Sequence, residues 1–365
     1  MVAVGTTDGC YLFSSDSGRG KWRRSPKLLK GESVNSFAYN PKAGILFAAT
    51  HTEGVFRSKD LGKTWRPSSR GLNVRKVWTF GVDPKHPSVM YAGTHYGHLF
   101  KSEDNGNAWN EVVGLHTAPG RNDWGIDWAM GTTGLCIHTV RVDPADRERL
   151  YLVASGNGTY RSDDGGKAWK RIRDGQMDSC PVGGWLDPPG QQPLDDATKM
   201  KEHLKNVHGC THKVVLSAKS NGLVYQQNHC GVFESRDSGD RWVDISPGDK
   251  VRHGFPIVLT EDGSSKLFTV PAFQGVCKKH NSCIIGKLAV YRRDGKDWQE
   301  LTKGLPRGVH TCVLRDGMAT DGQRDPGVYF GTTTGEVFGS LDSGDSWFSM
   351  MKGAGRVQGV NAFSL

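Results

Sequence analysis

The chain has 365 residues, of which 36% are hydrophobic, with 48 glycines, 11 tryptophans and a formal charge of +9. That length holds two average domains or one large repeat-built one, and it contains no apolar run long enough to span a membrane as a helix. Glycine or proline interrupts nearly every dozen residues, which argues against long helices and for short strands joined by tight turns.

The opening stretch, "MVAVGTTDGCYLFSSD", lacks a basic segment, an apolar core and a small-residue cleavage site, so the expected compartment is the cytoplasm. Eight cysteines in a chain of this size do not make a disulfide framework, and most are expected to be reduced and structural. Positive charge is spread along the chain. Its densest stretch, "KWRRSPKLLK" from Lys21, reads as a solvated outer strand and its loop. No nucleic-acid motif and no nucleotide-cofactor motif accompany the charge; steering a small anionic ligand would need less.

One pattern recurs along the chain. The box S-x-D-x-G-x-x-W stands at Ser58-Asp60-Gly62-Trp65, Ser102-Asp104-Gly106-Trp109, Ser162-Asp164-Gly166-Trp169, Ser235-Asp237-Gly239-Trp242 and Ser340-Asp342-Gly344-Trp347. Two worn copies, "SSDSGRGKW" before Trp22 and "YRRDGKDW" around Trp298, bring the number to seven. Alternating apolar stretches ("GVFR", "HLFK", "GTYR", "GVFE", "EVFG") precede the boxes, and a strand opening with tryptophan follows. This is a hairpin signature: the aspartate accepts hydrogen bonds from turn amides, the glycine takes positive φ, and the tryptophan buries its ring between sheets. The spacing of "RSDDGG" is also that of the front of a calcium loop, but the box ends in Trp where such a loop needs a bidentate glutamate.

Two further strand signals lie upstream of each box, as in "KVWTFGVDP" and "VMYAGTH". Four strands repeated at intervals of about 45 residues predict an all-β fold: a seven-bladed β-propeller of four-stranded antiparallel blades, occupying residues 1–365 as one domain. The first unit begins at its second strand, "MVAVGTT". Its missing inner strand is expected from the other terminus, "RVQGVNAFSL", which would close the ring.

These boxes resemble those of Asp-box (bacterial neuraminidase repeat) propellers, a group that includes sialidases, xyloglucan hydrolases, sortilin-type receptors and a photosystem II assembly factor. Through "GLCIHTVRVDP", "YQQNHCGVFESRDSGDRW", "HGFPIVL" and "CVLRDGMATD" the chain is also similar to stand-alone bacterial proteins labelled sialidase-like. The resemblance implies the fold; activity must be argued from a site. A sialidase-like site would need an arginine cluster, an acid–base aspartate and a tyrosine–glutamate pair, and the arginine motif is missing at "SVNSFAYNP". A paired-carboxylate glycosidase is equally unsupported, because Glu53, Asp123 and Asp127 are the main acidic residues mapping to the loop face.

Three insertions, 110–134, 172–208 and 274–287, fall on the face opposite the boxes and mark it as the working surface. Aligning the inner strands on a core position groups Phe37, Phe80, Val140, Val214, Ile257, Cys312 and Phe363. Two residues earlier, about 6.6 Å nearer the loop face, stand Asn35, Trp78, His138, His212, Phe255, His310 and Asn361. Loops between second and third strands add His51 with Glu53, His95 with Tyr96, and Asn228-His229-Cys230, and His253 precedes its inner strand.

Two readings remain open: a wet polar channel, or imidazoles from rigid strands converging on zinc, copper or iron with a vacant position for water or substrate. On the second reading His138, His212, His229 and His310 are the metal ligands. Glu53, His95 and His253 are then candidate catalytic groups. Trp78, Tyr96, Trp124, Trp128, Asn228 and Phe255 would contact a small, anionic ligand. The expected function is a metal-dependent enzyme acting on a small molecule; the alternative is a binding or assembly propeller with a protein partner. The segment "CKKHNSC" (Cys277 to Cys283) reads as a disulfide, a metal knuckle or free thiols, and a helical stretch is expected around Leu194 to Val207.

Overall fold

The computed structural model describes residues 1–124, 136–176, 210–248, 252–261, 265–272, 288–309 and 311–365. Their 28 strands form seven four-stranded antiparallel sheets. The inner strands, from blade 1 to blade 7, are Val357–Ala362, Val34–Asn40, Val77–Val82, Ile137–Val142, Thr211–Leu216, Gly254–Glu261 and Met318–Thr320. Each lies beside the next, and the last lies beside the first.

Ring closure is as expected from the sequence. The inner strand of blade 1 is the C-terminal one, paired antiparallel with Val2–Thr6 in a register that sets Val4 opposite Val360. At the seam the Met1 ammonium donates to the Phe363 carbonyl at 2.7 Å, and the Phe363 amide donates to Met1 O at 2.8 Å. Both chain ends are thus consumed inside one sheet, which leaves no open inner edge.

The five intact boxes share one geometry. Serine accepts from the glycine amide four residues on, at 2.7–2.9 Å, while its own hydroxyl donates to the aspartate. That carboxylate also accepts an amide two residues beyond the glycine, at 2.8–3.0 Å. The aspartates are pulled below the usual carboxylate range by these bonds; Asp60, gripped first by the Thr64 hydroxyl, is lowered to about 2. With Oδ1 engaged by the turn in every intact box, the carboxylate works as a turn-former.

The box tryptophans tie one blade to the next. Trp109, Trp242 and Trp347 each donate a backbone N–H at 2.9 Å to the preceding blade, to Arg70, Asp174 and Lys303 respectively. The following residues, Gly71, Gly175 and Gly304, lie so close that an added Cβ would overlap the tryptophan carbonyl oxygen. The outer strands differ from expectation in starting one residue after the tryptophan, at Arg66, Asn110 and Lys170, and in being two residues long there. The ring turns inward to pack, so the ladder resumes only beyond it.

A repeated hydrogen bond corrects the inner-strand alignment. The amides of Thr7, His51, His95, Ser155, His229, Ala272 and Thr333 donate to the carbonyls of Arg356, Ser33, Lys76, Cys136, Cys210, His253 and Cys312. Cys312 is therefore equivalent to Ser33, not to Phe37. The position of Phe37, opposite Ala48, is filled in blade 7 by Met318, opposite Phe330, and in blade 1 by Val360, opposite Val4. Extra residues between Cys312 and Gly317 shift blade 7, and Asn361 and Phe363 lie three residues too far along blade 1. The alignment that paired His310 with His138 fails for the same reason; His310 itself lies outside the described residues.

Candidate metal centre at the channel mouth

At the loop end of blades 5 and 6 the sequence places cysteine, histidine and aromatic groups on alternate positions, which share one side of a strand. Cys210 and His212 lie two apart at the start of the blade 5 inner strand, and His253 and Phe255 two apart at the start of the next. His229 sits on the turn from the second to the third strand of blade 5, its amide donating to Cys210 O at 3.2 Å. Asn228 tightens that turn by accepting the Cys230 amide at 2.8 Å.

Among the described residues, two sets of three potential metal donors lie within 4.8 Å of one another: Cys210–His212–His229 and His98–Glu111–His116. The second, at the outer edge of blade 3, is a carboxylate oxygen shared by two imidazoles at 2.5 and 2.8 Å. The first is the buried one, with Cys210 at 7% and His212 at 0% exposure. His253 completes a nest of rings, its centroid 4.8 Å from His229 and 5.3 Å from His212. Phe255 covers His212 at 4.5 Å.

His212 is oriented as a ligand should be. Its Nδ1–H donates to the Gly254 carbonyl at 2.5 Å, which leaves the lone pair on Nε2, and that buried nitrogen has no hydrogen-bond partner. A backbone carbonyl on one nitrogen sets tautomer and ring orientation for the other. Burial, joined by the positive fields of His229, Arg315 and His253, holds His212 well below the ordinary imidazole range, so it is neutral and able to donate a lone pair. Burial likewise lowers His253 to about 4.

The other sequence-derived candidates are scattered. His138 is buried at 2% with neither ring nitrogen in a well-formed hydrogen bond, but it belongs to neither set of converging donors. Its place beside His212 and His229 is taken by Cys210, a residue the sequence reading assigned to structure. The C-x-H spacing of Cys210 and His212 was the available signal. Glu53 is exposed on the blade 2 turn, where its amide donates to the Thr50 hydroxyl and its carbonyl accepts from the Ser69 hydroxyl. His95 packs on Tyr96 at 4.4 Å, and Trp78 on His51 at 4.5 Å. Tyr96 is 60% exposed and Phe255 is buried.

Trp124 forms no open wall. It is 7% exposed, donates from Nε1 to the Tyr160 hydroxyl at 2.9 Å and carries the Arg121 guanidinium over its ring at 4.6 Å. Asn228 is 1% exposed and spends its oxygen on the turn, so the structure makes it a turn-former. Trp128, Asp127, Cys277, Cys283 and the expected helix around Leu194 to Val207 lie outside the described residues.

A group of charged residues inside the ring was also missed. Lys213, beside His212, pairs with Asp316 at 3.1 Å. Arg141 donates to Val140 O at 2.9 Å, and Arg315 lies over the Phe255 ring at 5.2 Å.

No protein-family model and no curated protein matches the sequence. Solved structures do. An ancestral GH74 enzyme superposes with a TM-score of 0.58 at 16% identity over 90% of this chain, and the GH74 xyloglucanase from Xanthomonas campestris with 0.58 at 19% over 87%. This chain spans 38% and 45% of those two proteins. YCF48 bound to D1 peptide superposes with a TM-score of 0.51 at 11% identity, covering 89% of this chain and 84% of its own. At such identities the likeness is one of fold, and the chain is a seven-bladed β-propeller whose neighbours include both enzymes and binding proteins.

Proposed function

We propose that Cys210, His212 and His229 hold a transition metal at the channel mouth, and that the chain is a metal-dependent enzyme acting there on a small molecule. The convergence of the three donors, with His212 Nε2 left free by the bond from Nδ1 to Gly254, carries the reading. A thiolate with two imidazoles suits zinc, and copper or iron less well. A metal held by these three residues would supply Lewis acidity toward water or a carbonyl group. The protein's own part is to exclude water with Phe255 and to seat His253 beside the ligands in the same nest. The repeated boxes support membership of the Asp-box group as part of this reading. Glycoside hydrolysis is the less favoured chemistry, since Glu53 is exposed and Asp316 is paired with Lys213.

Elemental analysis of chelator-free protein tests this. Wild type should carry close to one equivalent of metal, Cys210→Ser and His212→Ala should lose it, and His138→Ala should keep it. Less than about 0.1 equivalent in wild type, with no tight reloading, overturns the proposal. A non-catalytic binding propeller is the second reading, favoured by the exposed Tyr96 on the loop face. A peptide- or protein-binding surface there would survive His212→Ala and fail in Tyr96→Ala.

A further inference from the structure

Among the described residues inside the ring, three cations face one carboxylate. Lys213 is 4% exposed and has Asp316 as its ion partner at 3.1 Å. Arg141, two positions further down the strand ladder of blade 4 than the level of Lys213, bonds a single carbonyl, Val140 O. Arg315 has no carboxylate at all among the described residues, and its buried Nε has no hydrogen-bond partner. Burial outweighs the single counter-charge: desolvation holds Arg141 and Lys213 below their ordinary ranges despite the pull of Asp316.

Arg315 is also the best-placed of the three to meet a ligand. It is carried on the extra residues that distort blade 7, leans across to blade 6 and lies over Phe255 at 5.2 Å. Its positive field reaches Cys136, His138, His212, His253 and Cys312, which start four successive inner strands. Arg315 is half-buried with its Nε shielded and unbonded, so an anion that pairs with it gains a charge-assisted contact less screened than one on open surface. The guanidinium edge presents parallel N–H groups matched to a carboxylate or phosphate, and a ring beneath it fixes the plane of that edge.

We propose that the channel mouth binds a small molecule bearing a carboxylate or phosphate group, gripped by Arg315 and drawn in by Lys213 and Arg141. This names the ligand class for the site proposed above and rests on that site being the working one, but the grip itself needs no metal. The anion would lie against the same wall of Phe255, His212 and His253 that lines the donor set, so its other end would lie beside Cys210, His212 and His229.

The test uses metal-free full-length protein, titrated with sodium phosphate in one arm and sodium malonate in the other. Sodium chloride at matched ionic strength is the control, and the unfolding temperature and binding heat are read. The favoured anion should raise the unfolding temperature in a saturable way, and Arg315→Gln should weaken its binding by at least about tenfold. A response to phosphate alone assigns a phosphate ester, and one to malonate alone a carboxylate. Arg315→Lys, which keeps the charge but loses the fork, should bind more weakly than wild type, and it serves if the glutamine variant does not fold. Stabilisation no greater than that by chloride, or unchanged affinity in the arginine variants, overturns the proposal. Anion binding without any metal retention would instead leave this inference standing and remove the metal centre.

Discussion

Replacing Gly71 with alanine should cost far more than its surface position suggests. Gly71 has φ +91°, and its place beside Trp109 leaves no room for a methyl group. The left-handed backbone alone costs an L-residue about 1–2 kcal/mol. Overlap with the Trp109 carbonyl oxygen must also be relieved, and the carbonyl belongs to a residue anchored twice: its amide donates to Arg70 O at 2.9 Å and its indole Nε1 to Ser68 O at 2.8 Å. Moving the loop away sacrifices one of these buried bonds, a further loss of about 1–3 kcal/mol. The expected destabilisation is therefore about 2–5 kcal/mol, a large part of the about 5–15 kcal/mol that holds a domain folded. Gly31 is the control, because it has φ +86° but nothing within 4 Å of the added Cβ. Gly31→Ala should cost about 1–2 kcal/mol, the backbone term by itself. Equilibrium urea unfolding of both variants, followed by tryptophan fluorescence, measures the difference. Equal costs would refute the view that this glycine and its partner tryptophan lock adjacent blades.

Deleting residues 357–365 removes the inner strand of blade 1, including buried Val357 and Val360, and exposes the edge of Val2–Thr6. The truncated chain should lose cooperative unfolding or at least about 5 kcal/mol of stability, and should associate through the open edge on size-exclusion chromatography. A monomer with an unchanged melting curve would deny the closure its role. Metal-free protein should also weaken in mild acid because of His51, which burial and the nearby charges of Lys76 and His95 lower from 6.5 to about 4. Above pH 6.5 folded and unfolded forms are both neutral, and the full stability is present. As pH falls from 6.5 to 4 the unfolded chain takes up the proton first, which removes about 2–3 kcal/mol after allowance for partial exposure. His51→Phe, which keeps a ring on Trp78, should flatten the pH dependence of stability in that window, and an unaltered slope would count against it.

The turn boxes were legible because their chemistry is local. Serine, aspartate and glycine bond within a few residues of one another, so spacing alone specifies the hairpin, and its repetition with period-2 strands specifies the wheel. Closure was legible too, since "RVQGVNAFSL" repeats the pattern of an inner strand the first unit lacks. Register in blades 1 and 7 was not: Leu314 and Arg315 carry no mark as extra residues, and only the cross-strand bonds of Thr333 and Gly331 reveal them. The candidate site was half visible, as histidines recurring at the starts of inner strands. Which of them meet was decided inside blade 5, where the turn after the second strand folds His229 back onto Cys210 and His212, while blade 6 adds His253 and His138 stays outside the set. Arg315 over Phe255 belongs to the same class, a contact between residues 60 positions apart on different blades. Chain spacing sets which side of a strand a residue occupies, whereas the distance between two such sides exists only once the ring has closed.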